Sequence, residues 1–255
     1  MKVQGRVAMV TGGGSGIGRA SVMALAREGA QTIVADINPA NAAKVASEVT
    51  ALGCQVIAVE TDVSKKNQVQ RIVQAGIERF GKIDILVNAA GIGASGDVKD
   101  MSEDVFDSVI AAHLKSMFLC SQAVLDPMIK KGWGRIVTIT SRAAYRSRPS
   151  TAAYSAAKAG MTGFSRSLAL EVAQYGITVN NVAPGVTLTG MTSNENRPAT
   201  EVVQIAEQLS LGVVTKPPRY AYPEEIAEAV MYFCGPNSDH TTGMTLHVNG
   251  GSFIP

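Results

Sequence analysis

Cysteine is scarce in this chain, and its scarcity excludes several classes of protein. The 255 residues include only three cysteines, Cys54, Cys120 and Cys234, and these are far apart in the sequence. They offer neither the close spacing of a metal site nor an even set for disulfide bonds. We therefore predict no bound metal, and we interpret the cysteines as small buried side chains in a reducing compartment.

Net charge and long apolar runs are lacking as well. The formal net charge is only +2, which gives no reason to expect nucleic acid or a membrane surface as a partner. No apolar run approaches the ~18 residues of a membrane span, and the first glycines come too early for a signal peptide. We expect a cytoplasmic protein that acts on a small molecule.

Short β-branched runs alternate with longer helical segments along the whole chain. With 46% hydrophobic residues and no linker, the sequence can bury one sizeable core. The predicted strands are residues 7–11, 32–37, 55–63, 83–91, 135–141, 177–185 and 245–251. This alternation predicts the α/β class: one doubly wound domain over residues 1–255, with a seven-stranded parallel sheet and helices on both faces.

A glycine-rich turn follows the first strand. Gly12, Gly16 and Gly18 have the spacing Gly-x-x-x-Gly-x-Gly, with Ser15 and Ile17 between them. Such glycines let the backbone approach a pyrophosphate at the amino terminus of the next helix. The turn predicts a dinucleotide site, and an ordinary glycine-rich strand–helix connection is the alternative.

A second group of candidate residues lies between positions 141 and 158. Ser141 ends the fifth predicted strand, at the edge where open α/β sheets bind their ligands. Tyr154 and Lys158 are four residues apart in an alanine-rich helical segment, so they share one helix face. An ammonium group would lower the phenol pKa from about 10, and the serine would hold a substrate oxygen. The trio suggests proton transfer at a carbinol or carbonyl.

With these motifs the chain resembles the short-chain dehydrogenase/reductase family, in its compact single-domain branch. The resemblance runs from Val7 to Gly251 and implies a Rossmann-type fold and hydride transfer between a nicotinamide cofactor and a secondary alcohol or ketone. It rests on the ordered motifs Thr11–Gly18, Asp62-Val63, Asn88–Gly91, Ser141, Tyr154 with Lys158, and Pro184-Gly185. By this likeness Tyr154 exchanges the proton, Lys158 lowers its pKa and holds the nicotinamide ribose, and Ser141 orients the substrate.

The resemblance also assigns the cofactor contacts. The expected cofactor-binding residues are Gly12, Ser15, Gly16, Ile17, Gly18, Asp36, Ile37, Asp62, Val63, Asn88, Ala90, Gly91, Tyr154, Lys158, Pro184, Gly185, Thr187 and Thr189. Asp36 would accept hydrogen bonds from the ribose hydroxyls and repel a 2′-phosphate. Family members that prefer NADP usually carry a basic residue where this chain has Ser15 or Ile37. We therefore expect NAD as the cofactor. The alternatives are that Asp36 only caps the following helix and that Asp62 is only a turn residue.

Three positions depart from the family pattern. His113 stands where the family usually has the asparagine of its catalytic tetrad, which holds a helix distortion and supports a water relay to the lysine. His113 either supports the same relay or is a packed neutral histidine. Ala89 replaces an asparagine that supports the central strands, and Thr187 stands where an apolar residue meets the nicotinamide carboxamide through its backbone.

The segment between Ser141 and Tyr154 carries Arg142, Arg146 and Arg148, and in the family this segment forms one wall of the substrate pocket. Arginine is suited to bidentate capture of an anion. One hypothesis is therefore an anionic substrate (a hydroxy acid, sulfonate or thioester) held by Arg148, with Tyr145 nearby; a solvated loop or subunit contact is the other. Residues 187–222 resemble a substrate lid.

Substrate and assembly are open at this point. A 3-oxoacyl-thioester reductase is the main alternative, although Asp36 disfavours NADPH, and Gly132 and Tyr175 stand where carrier-protein reductases tend to have arginine. A nucleotide-binding regulator without catalysis is a second alternative. The family likeness implies a homotetramer, with contacts through the helices at 104–131 and 152–175 and through the last strand.

Overall fold

Seven parallel strands form the centre of the fold. The computed structural model describes residues 1–192 and 219–255. Its strands are β1 (Val7–Thr11), β2 (Gln31–Asp36), β3 (Val56–Glu60), β4 (Ile85–Asn88), β5 (Gly134–Ile139), β6 (Ile177–Pro184) and β7 (Thr245–Val248). They pair in the order β3-β2-β1-β4-β5-β6-β7, parallel throughout. The predicted parallel sheet is confirmed.

Helices cover both faces of this sheet. They are α1 (Gly16–Arg27), α2 (Pro39–Ala51), α3 (Lys66–Phe80), α4 (Glu103–Ile110), α5 (Ser116–Lys131), α6 (Ala152–Val172) and α7 (Pro223–Cys234). Helices α1, α2 and α7 bury their apolar sides in one core cluster, and α3, α5 and α6 in the other. Because both faces are covered, the central strands are apolar on both sides, which explains their β-branched runs.

The strand order reverses between β1 and β4, and this reversal creates the cleft. The chain passes outward from β1 to β3 and then returns to β4 on the other side of β1. Thr11 and Asn88 lie side by side at the carboxyl ends of β1 and β4. The Thr11 hydroxyl oxygen accepts hydrogen bonds from the backbone N–H groups of Ala89 and Ala90, at 3.1 and 3.2 Å. Ligands of doubly wound sheets bind at such a switch point.

The predicted strands end earlier in the structure than the sequence pattern suggested. Residues 61–63, 89–91 and 249–251 leave the sheet instead of extending it. These residues are rich in glycine, aspartate and asparagine, which favour turns. Residues 61–63 and 89–91 matter for function because, once they have left the sheet, they line the cleft.

A π-helical turn, Ala111–Lys115, interrupts what the sequence suggested as one long helix between residues 104 and 132. His113 lies in the middle of this turn, so the helix distortion expected at this position is present. The Ser116 hydroxyl donates to the carbonyl oxygens of Ala112 (2.7 Å) and His113 (3.0 Å) within this turn. Such π-bulges occur frequently at functional sites.

The continuous helical run Glu103–Lys131 is long and apolar enough, by length and composition, to span a membrane. In the fold it packs against α3 and α6, and 44% of its most apolar 18-residue window is buried. A core helix of an α/β domain passes the same test, so this run is weak evidence for a membrane. The absence of a membrane partner stays a prediction.

The predicted lid at 187–222 is described only in part, because residues 193–218 lie outside the described residues. Its two described ends lie together beyond β6. The Leu188 N–H donates to the Ala221 carbonyl at 2.9 Å, and the Ala221 N–H donates to the Val186 carbonyl at 3.0 Å.

A buried carboxylate joins the amino ends of the central strands, opposite the cleft. The side chain of Asp84 is 0% exposed and accepts a hydrogen bond from the Val7 N–H at 2.9 Å. It also pairs with Lys131, with Lys82 at 3.2 Å and with Arg6 at 3.4 Å. Burial alone would raise the pKa of Asp84, but the hydrogen bonds from Lys131 and Val7 and the charge of Lys131 bring it below its usual value.

We expect Asp84→Asn to lower the free energy of unfolding by about 3 kcal/mol near neutral pH, because it leaves partly buried cations unpaired. The folded-state pKa of Asp84 lies below the unfolded value, so the stabilisation is present above about pH 4 and is lost as the pH falls through the folded-state pKa. Urea unfolding of wild type and Asp84→Asn, from neutral pH to below pH 4, measures the difference between their free energies of unfolding. This difference should become smaller in acid. The exposed Asp100→Asn serves as the control, and a wild-type-like Asp84→Asn would contradict the account.

Candidate active site

A cavity of about 820 Å³ opens at the carboxyl ends of β1, β4, β5 and β6. It is lined by the predicted residues Gly12, Ser15, Gly16, Ile17, Gly18, Asp36, Ile37, Asp62, Val63, Ala90, Gly91, His113, Ser141, Tyr154, Lys158, Pro184, Gly185, Thr187 and Thr189. Two further predicted residues are outside this lining. Asn88 is buried in the sheet, 4% exposed, and Arg148 is exposed on the surface.

Close backbone packing explains the glycines at one end of the cavity. A Cβ on Gly18 would lie 2.0 Å from the Gly12 carbonyl oxygen, and one on Gly12 would lie 2.9 Å from Ala90 Cα. Gly12 also has φ +62°, a conformation that favours glycine. Helix α1 begins after Ser15 without a side-chain cap on its first N–H groups. This end of the cavity therefore presents backbone donors and a helix amino terminus to an anion.

Asp36 lies at the end of β2 beside the glycine turn. Its Oδ2 accepts a hydrogen bond from the Gly14 N–H and its Oδ1 from the Asn38 N–H, both at 2.9 Å. The cap of α2 is Asn38, whose Oδ1 accepts from Ala40 and Asn41. The helix-cap alternative for Asp36 is therefore wrong. The sequence analysis missed Asn38 and Asn41, which also line the cavity; the Asn-Pro pair that opens α2 was the available signal.

Asp62 lines the cavity and also closes a local turn after β3. Its Oδ1 accepts hydrogen bonds from the Ser64 N–H at 2.9 Å and from the Ser64 hydroxyl at 2.7 Å. The turn alternative and the cofactor-site prediction are thus compatible for this residue. Val63 beside it is 8% exposed.

Ser141, Tyr154 and Lys158 meet at the other end of the cavity. Ser141 follows β5, and its hydroxyl oxygen accepts a hydrogen bond from the Ala143 N–H at 3.1 Å. Its side chain also bonds to the Tyr154 hydroxyl. The Lys158 ammonium donates to the Ile139 carbonyl at 2.8 Å and lies 5.7 Å from the centre of the Tyr154 ring. The arrangement is one expected of a group that moves a proton to or from a bound oxygen.

Burial favours the neutral forms of Tyr154 and Lys158. It raises the pKa of the Tyr154 phenol, and the hydrogen bond with Ser141 offsets part of that shift. It lowers the pKa of Lys158 to about 7. The lowering of the phenol pKa expected from Lys158 is thus outweighed, in the protein alone, by the loss of water around both groups. The phenol is in its proton-donating form at neutral pH.

His113 lies directly behind Tyr154 and is 1% exposed. Its Nε2 is 2.8 Å from the Ile92 carbonyl oxygen and 3.2 Å from the Ile92 nitrogen, so it binds the loop after β4 through the backbone. The imidazole and Tyr154 rings meet edge to face at 5.3 Å. Burial, and then the charge of Lys158, lower the pKa of His113 to about 3. The ring is thus closely packed, and its burial favours the neutral form.

The close fit of His113 explains why position 91 is a glycine. It also involves Ile92, a residue that the sequence analysis missed. A Cβ on Gly91 would lie 2.2 Å from the imidazole Cε1, so any larger residue would displace the ring. Ile92 was not predicted as a site residue, because its part is played by the backbone and leaves no signal in the side chain. Nδ1 of His113 has no hydrogen-bond partner among the described residues.

The three arginines after Ser141 have different surroundings. Arg142 is 8% exposed, and burial and then the charges of Arg148 and Arg146 lower its pKa. Arg146 donates to the Ser252 carbonyl at 2.9 Å. Arg148 is exposed and lies outside the residues that line the cavity. Its contact with a substrate stays a prediction.

The residues of the cavity fit a nicotinamide dinucleotide. The glycine turn offers backbone donors to a pyrophosphate, and the Asp36 carboxylate lies where it can accept from ribose hydroxyls. At the other end, Lys158 has three N–H donors, and among the described residues only the Ile139 carbonyl accepts from one of them. These polar groups match the hydroxyl and amide groups of such a cofactor.

The fold and cavity define an α/β oxidoreductase that binds a nicotinamide cofactor. The family model described as short chain dehydrogenase matches residues 6–200. The chain belongs to the short-chain dehydrogenase family, and the resemblance inferred from the motifs is confirmed.

Several relatives match nearly the whole chain. It is 38% identical to a 3-oxoacyl-[acyl-carrier-protein] reductase of Synechocystis sp., over 96% of each chain. It is also 38% identical to an acetoacetyl-CoA reductase of Allochromatium vinosum, over 98% of this chain and 99% of the relative. A solved 7α-hydroxysteroid dehydrogenase in complex with NADH and 7-oxo glycochenodeoxycholic acid superposes with a TM-score of 0.89 and 32% identity, over 98% of this chain and 95% of that one.

We expect His113 to steepen the loss of stability in acid. Its pKa falls from 6.5 to about 3 on folding, so below about pH 6 the unfolded chain binds a proton that the folded chain does not. As the pH falls, the free energy of unfolding of His113→Asn should therefore decrease less steeply than that of wild type, with slopes that differ by about 1 kcal/mol per pH unit. Urea unfolding at several pH values measures the slope. The exposed His240→Asn is the control, and equal slopes for all three proteins would show that His113 is not held neutral.

Proposed function

We propose that this protein is an NAD(H)-dependent oxidoreductase that interconverts a secondary alcohol and a ketone. The observation that carries the proposal is the arrangement of one cavity. Ser141, Tyr154 and Lys158 converge at one end, and the glycine turn with Asp36 forms the other. A dinucleotide bound along the cavity would have its nicotinamide beside the substrate carbon that exchanges the hydride.

The residues of the chain would handle the substrate oxygen and its proton. Ser141 binds that oxygen by a hydrogen bond, and Tyr154, which is bonded to Ser141, gives its proton to the oxygen during reduction or takes it during oxidation. The nicotinamide, when bound, supplies or accepts the hydride. Lys158, protonated in part because its pKa is about 7, returns the proton to Tyr154 and places a positive charge beside the phenolate.

We propose that His113 supports this site by position and not by titration. The imidazole holds the Ile92 backbone and packs on Tyr154, while its pKa of about 3 keeps it neutral in the working range. If the His113→Asn variant kept both the turnover rate and the pH profile of turnover, the ring would have no special role.

Replacing Tyr154 by phenylalanine should lower kcat by about 10²–10⁴-fold, because it removes the group that transfers the proton. The phenylalanine ring keeps the packing against His113, so the fold and the binding of cofactor should persist. Steady-state turnover of the best substrate measures the loss. Tyr175→Phe is a matched control on a partly exposed tyrosine, 38% exposed. Normal turnover by Tyr154→Phe would exclude the mechanism.

The preference for NAD rests on Asp36. Its carboxylate is 8% exposed and fixed by two backbone N–H groups, so it cannot move away from a 2′-phosphate without losing both bonds. The neighbouring Ser15 and Ile37 provide no positive charge that would offset the repulsion.

We expect Asp36→Asn to lower the ratio of kcat/KM for NAD⁺ to that for NADP⁺ at least tenfold, because it removes the repulsive charge at nearly constant size. Parallel assays with both cofactors give the ratio for wild type and variant. Asp100→Asn is the control. The side chain of Asp100 is 73% exposed, and its replacement should leave the ratio unchanged. A wild-type enzyme that prefers NADP⁺ would show that Asp36 does not select the cofactor.

A 3-oxoacyl-thioester reductase is the second candidate, because relatives named for such reactions match this chain from end to end. Gly132 and Tyr175 in place of arginine weigh against a carrier protein as partner and favour the CoA thioester form of this candidate. Turnover of matched 3-oxoacyl-CoA and 3-oxoacyl-carrier substrates separates the two forms.

We also propose a cytoplasmic homotetramer. Three large apolar side chains are exposed and available to subunit contacts. They are Phe118 on α5 (40% exposed), Leu170 on α6 (82%) and Leu246 on β7 (39%). Light scattering after size exclusion would measure the mass, and a monomer would contradict this assembly.

A further inference from the structure

A short turn after β5 presents the Ser141 hydroxyl to the cavity. It consists of residues 141–145, and we call it the Ser141 turn. The Ser141 oxygen accepts the Ala143 N–H at 3.1 Å. The Ala144 N–H donates to the Ser141 carbonyl at 3.1 Å, and the Tyr145 N–H donates to the Arg142 carbonyl at 3.0 Å. This is a single turn of 3₁₀ helix, whose hydrogen bonds have poorer geometry than those of an α-helix.

Tyr145, which closes the turn, is held by residues distant in the sequence. Its hydroxyl donates to Thr245 Oγ1 on β7 at 3.1 Å. Its ring stacks on Phe253, with centres 5.5 Å apart and planes inclined by 20°, and it meets the edge of His247 at 4.8 Å. Each aromatic contact of this kind contributes beyond simple burial. The turn is thus fixed at its far end by β7 and by the segment that follows β7.

A buried hydrogen-bonded chain connects this anchor to the helix that carries Tyr154. Asn181 on β6 is 0% exposed and donates from Nδ2 to Thr245 Oγ1 at 3.4 Å. Its Oδ1 accepts a hydrogen bond from Ser165 on α6 at 2.6 Å. These hydrogen bonds run from α6 through β6 and β7 to Tyr145. They therefore hold the Ser141 turn in a fixed position relative to the helix that carries Tyr154.

The segment that supplies Phe253 is itself folded back by specific bonds. Asn249 Nδ2 donates to the Phe253 carbonyl at 2.9 Å, and its Oδ1 accepts the Gly251 N–H at 2.9 Å. Arg146, next to Tyr145, donates to the Ser252 carbonyl at 2.9 Å. Residues 249–253 thus form a compact surface against the Ser141 turn.

We propose that Tyr145 is a positioning residue that acts through Ser141, and that Phe253 and Thr245 hold it in place. The inference rests on the proposed function, since it concerns the hydroxyl that orients the substrate oxygen. Without the anchor, the turn loses its attachment to β7 and to the segment after β7, and the Ser141 hydroxyl is held less firmly beside Tyr154. Small displacements of a catalytic group lower the rate strongly, even when the change lies outside the reacting atoms.

A double-mutant cycle tests this coupling. Tyr145→Ala should lower kcat about tenfold or more while the dissociation constant for NADH stays within about twofold of wild type. Ser141→Ala should also lower kcat, and adding Tyr145→Ala to Ser141→Ala should cause little further loss, because Tyr145 acts only through that hydroxyl. Losses that multiply in the double variant would overturn the proposal, since they would show independent effects.

Matched variants separate positioning from general loss of stability. Tyr232→Ala removes a tyrosine that is 50% exposed on α7, beside Phe233, and should leave kcat unchanged. Tyr145→Phe keeps the stack on Phe253 and loses only the bond to Thr245, so it serves if Tyr145→Ala fails to fold. Tyr145→Phe and Thr245→Val should lower kcat to a similar degree. Full activity in both would exclude the hydrogen bond as the anchor.

A measurement without substrate distinguishes failure of this proposal from failure of the proposed function. Phe253→Ala should raise amide hydrogen exchange in residues 141–146 and leave exchange in β1 unchanged, because only the Ser141 turn loses its support. Unchanged exchange in residues 141–146 would overturn the anchor whatever the substrate is. Full turnover by Ser141→Ala, together with raised exchange in Phe253→Ala, would instead contradict the proposed function and leave the anchor in place.

Discussion

The burial of Lys158 is the constraint on which the rest of the site depends. An ammonium group inside an α/β core is costly, and here its pKa falls to about 7, while the Ile139 carbonyl is its one hydrogen-bond acceptor in the part of the chain that the structure describes. The burial of Tyr154 itself keeps its phenol protonated, and the charge of Lys158 helps to keep His113 neutral. The cavity therefore contains a proton donor, an amine that titrates near neutral pH, and a histidine that does not titrate there.

The sheet gives this buried amine its surroundings. Lys158 reaches the end of β5 from α6, while the reversal of strand order between β1 and β4 opens the cleft beside it. Opposite the cleft, Asp84 and its cations join the amino ends of the central strands. Charges at one edge of the sheet thus stabilise the fold, and charges at the other serve the site.

The sequence predicted most of the fold and the chemical groups, because each leaves a periodic or positional signal. Alternating runs indicate the doubly wound sheet, the spacing of Tyr154 and Lys158 indicates a shared helix face, and Ser141 follows a buried strand. The structure was needed for whatever depends on distant packing. Burial reverses the expected pKa shift of Tyr154, and the anchor of the Ser141 turn joins Tyr145 to Phe253, which is more than a hundred residues away.

The most direct test of the central claim is NAD⁺-linked oxidation of a panel of secondary alcohols, in which each anionic compound is paired with a neutral isostere and NADP⁺ is assayed in parallel. The account predicts turnover with NAD⁺ that exceeds turnover with NADP⁺ for at least one alcohol. A preference for the anionic member of a pair would indicate that the arginines near Ser141 bind the substrate. No turnover of any secondary alcohol or the corresponding ketone with either cofactor would contradict the assignment of Ser141, Tyr154 and Lys158 as a catalytic site.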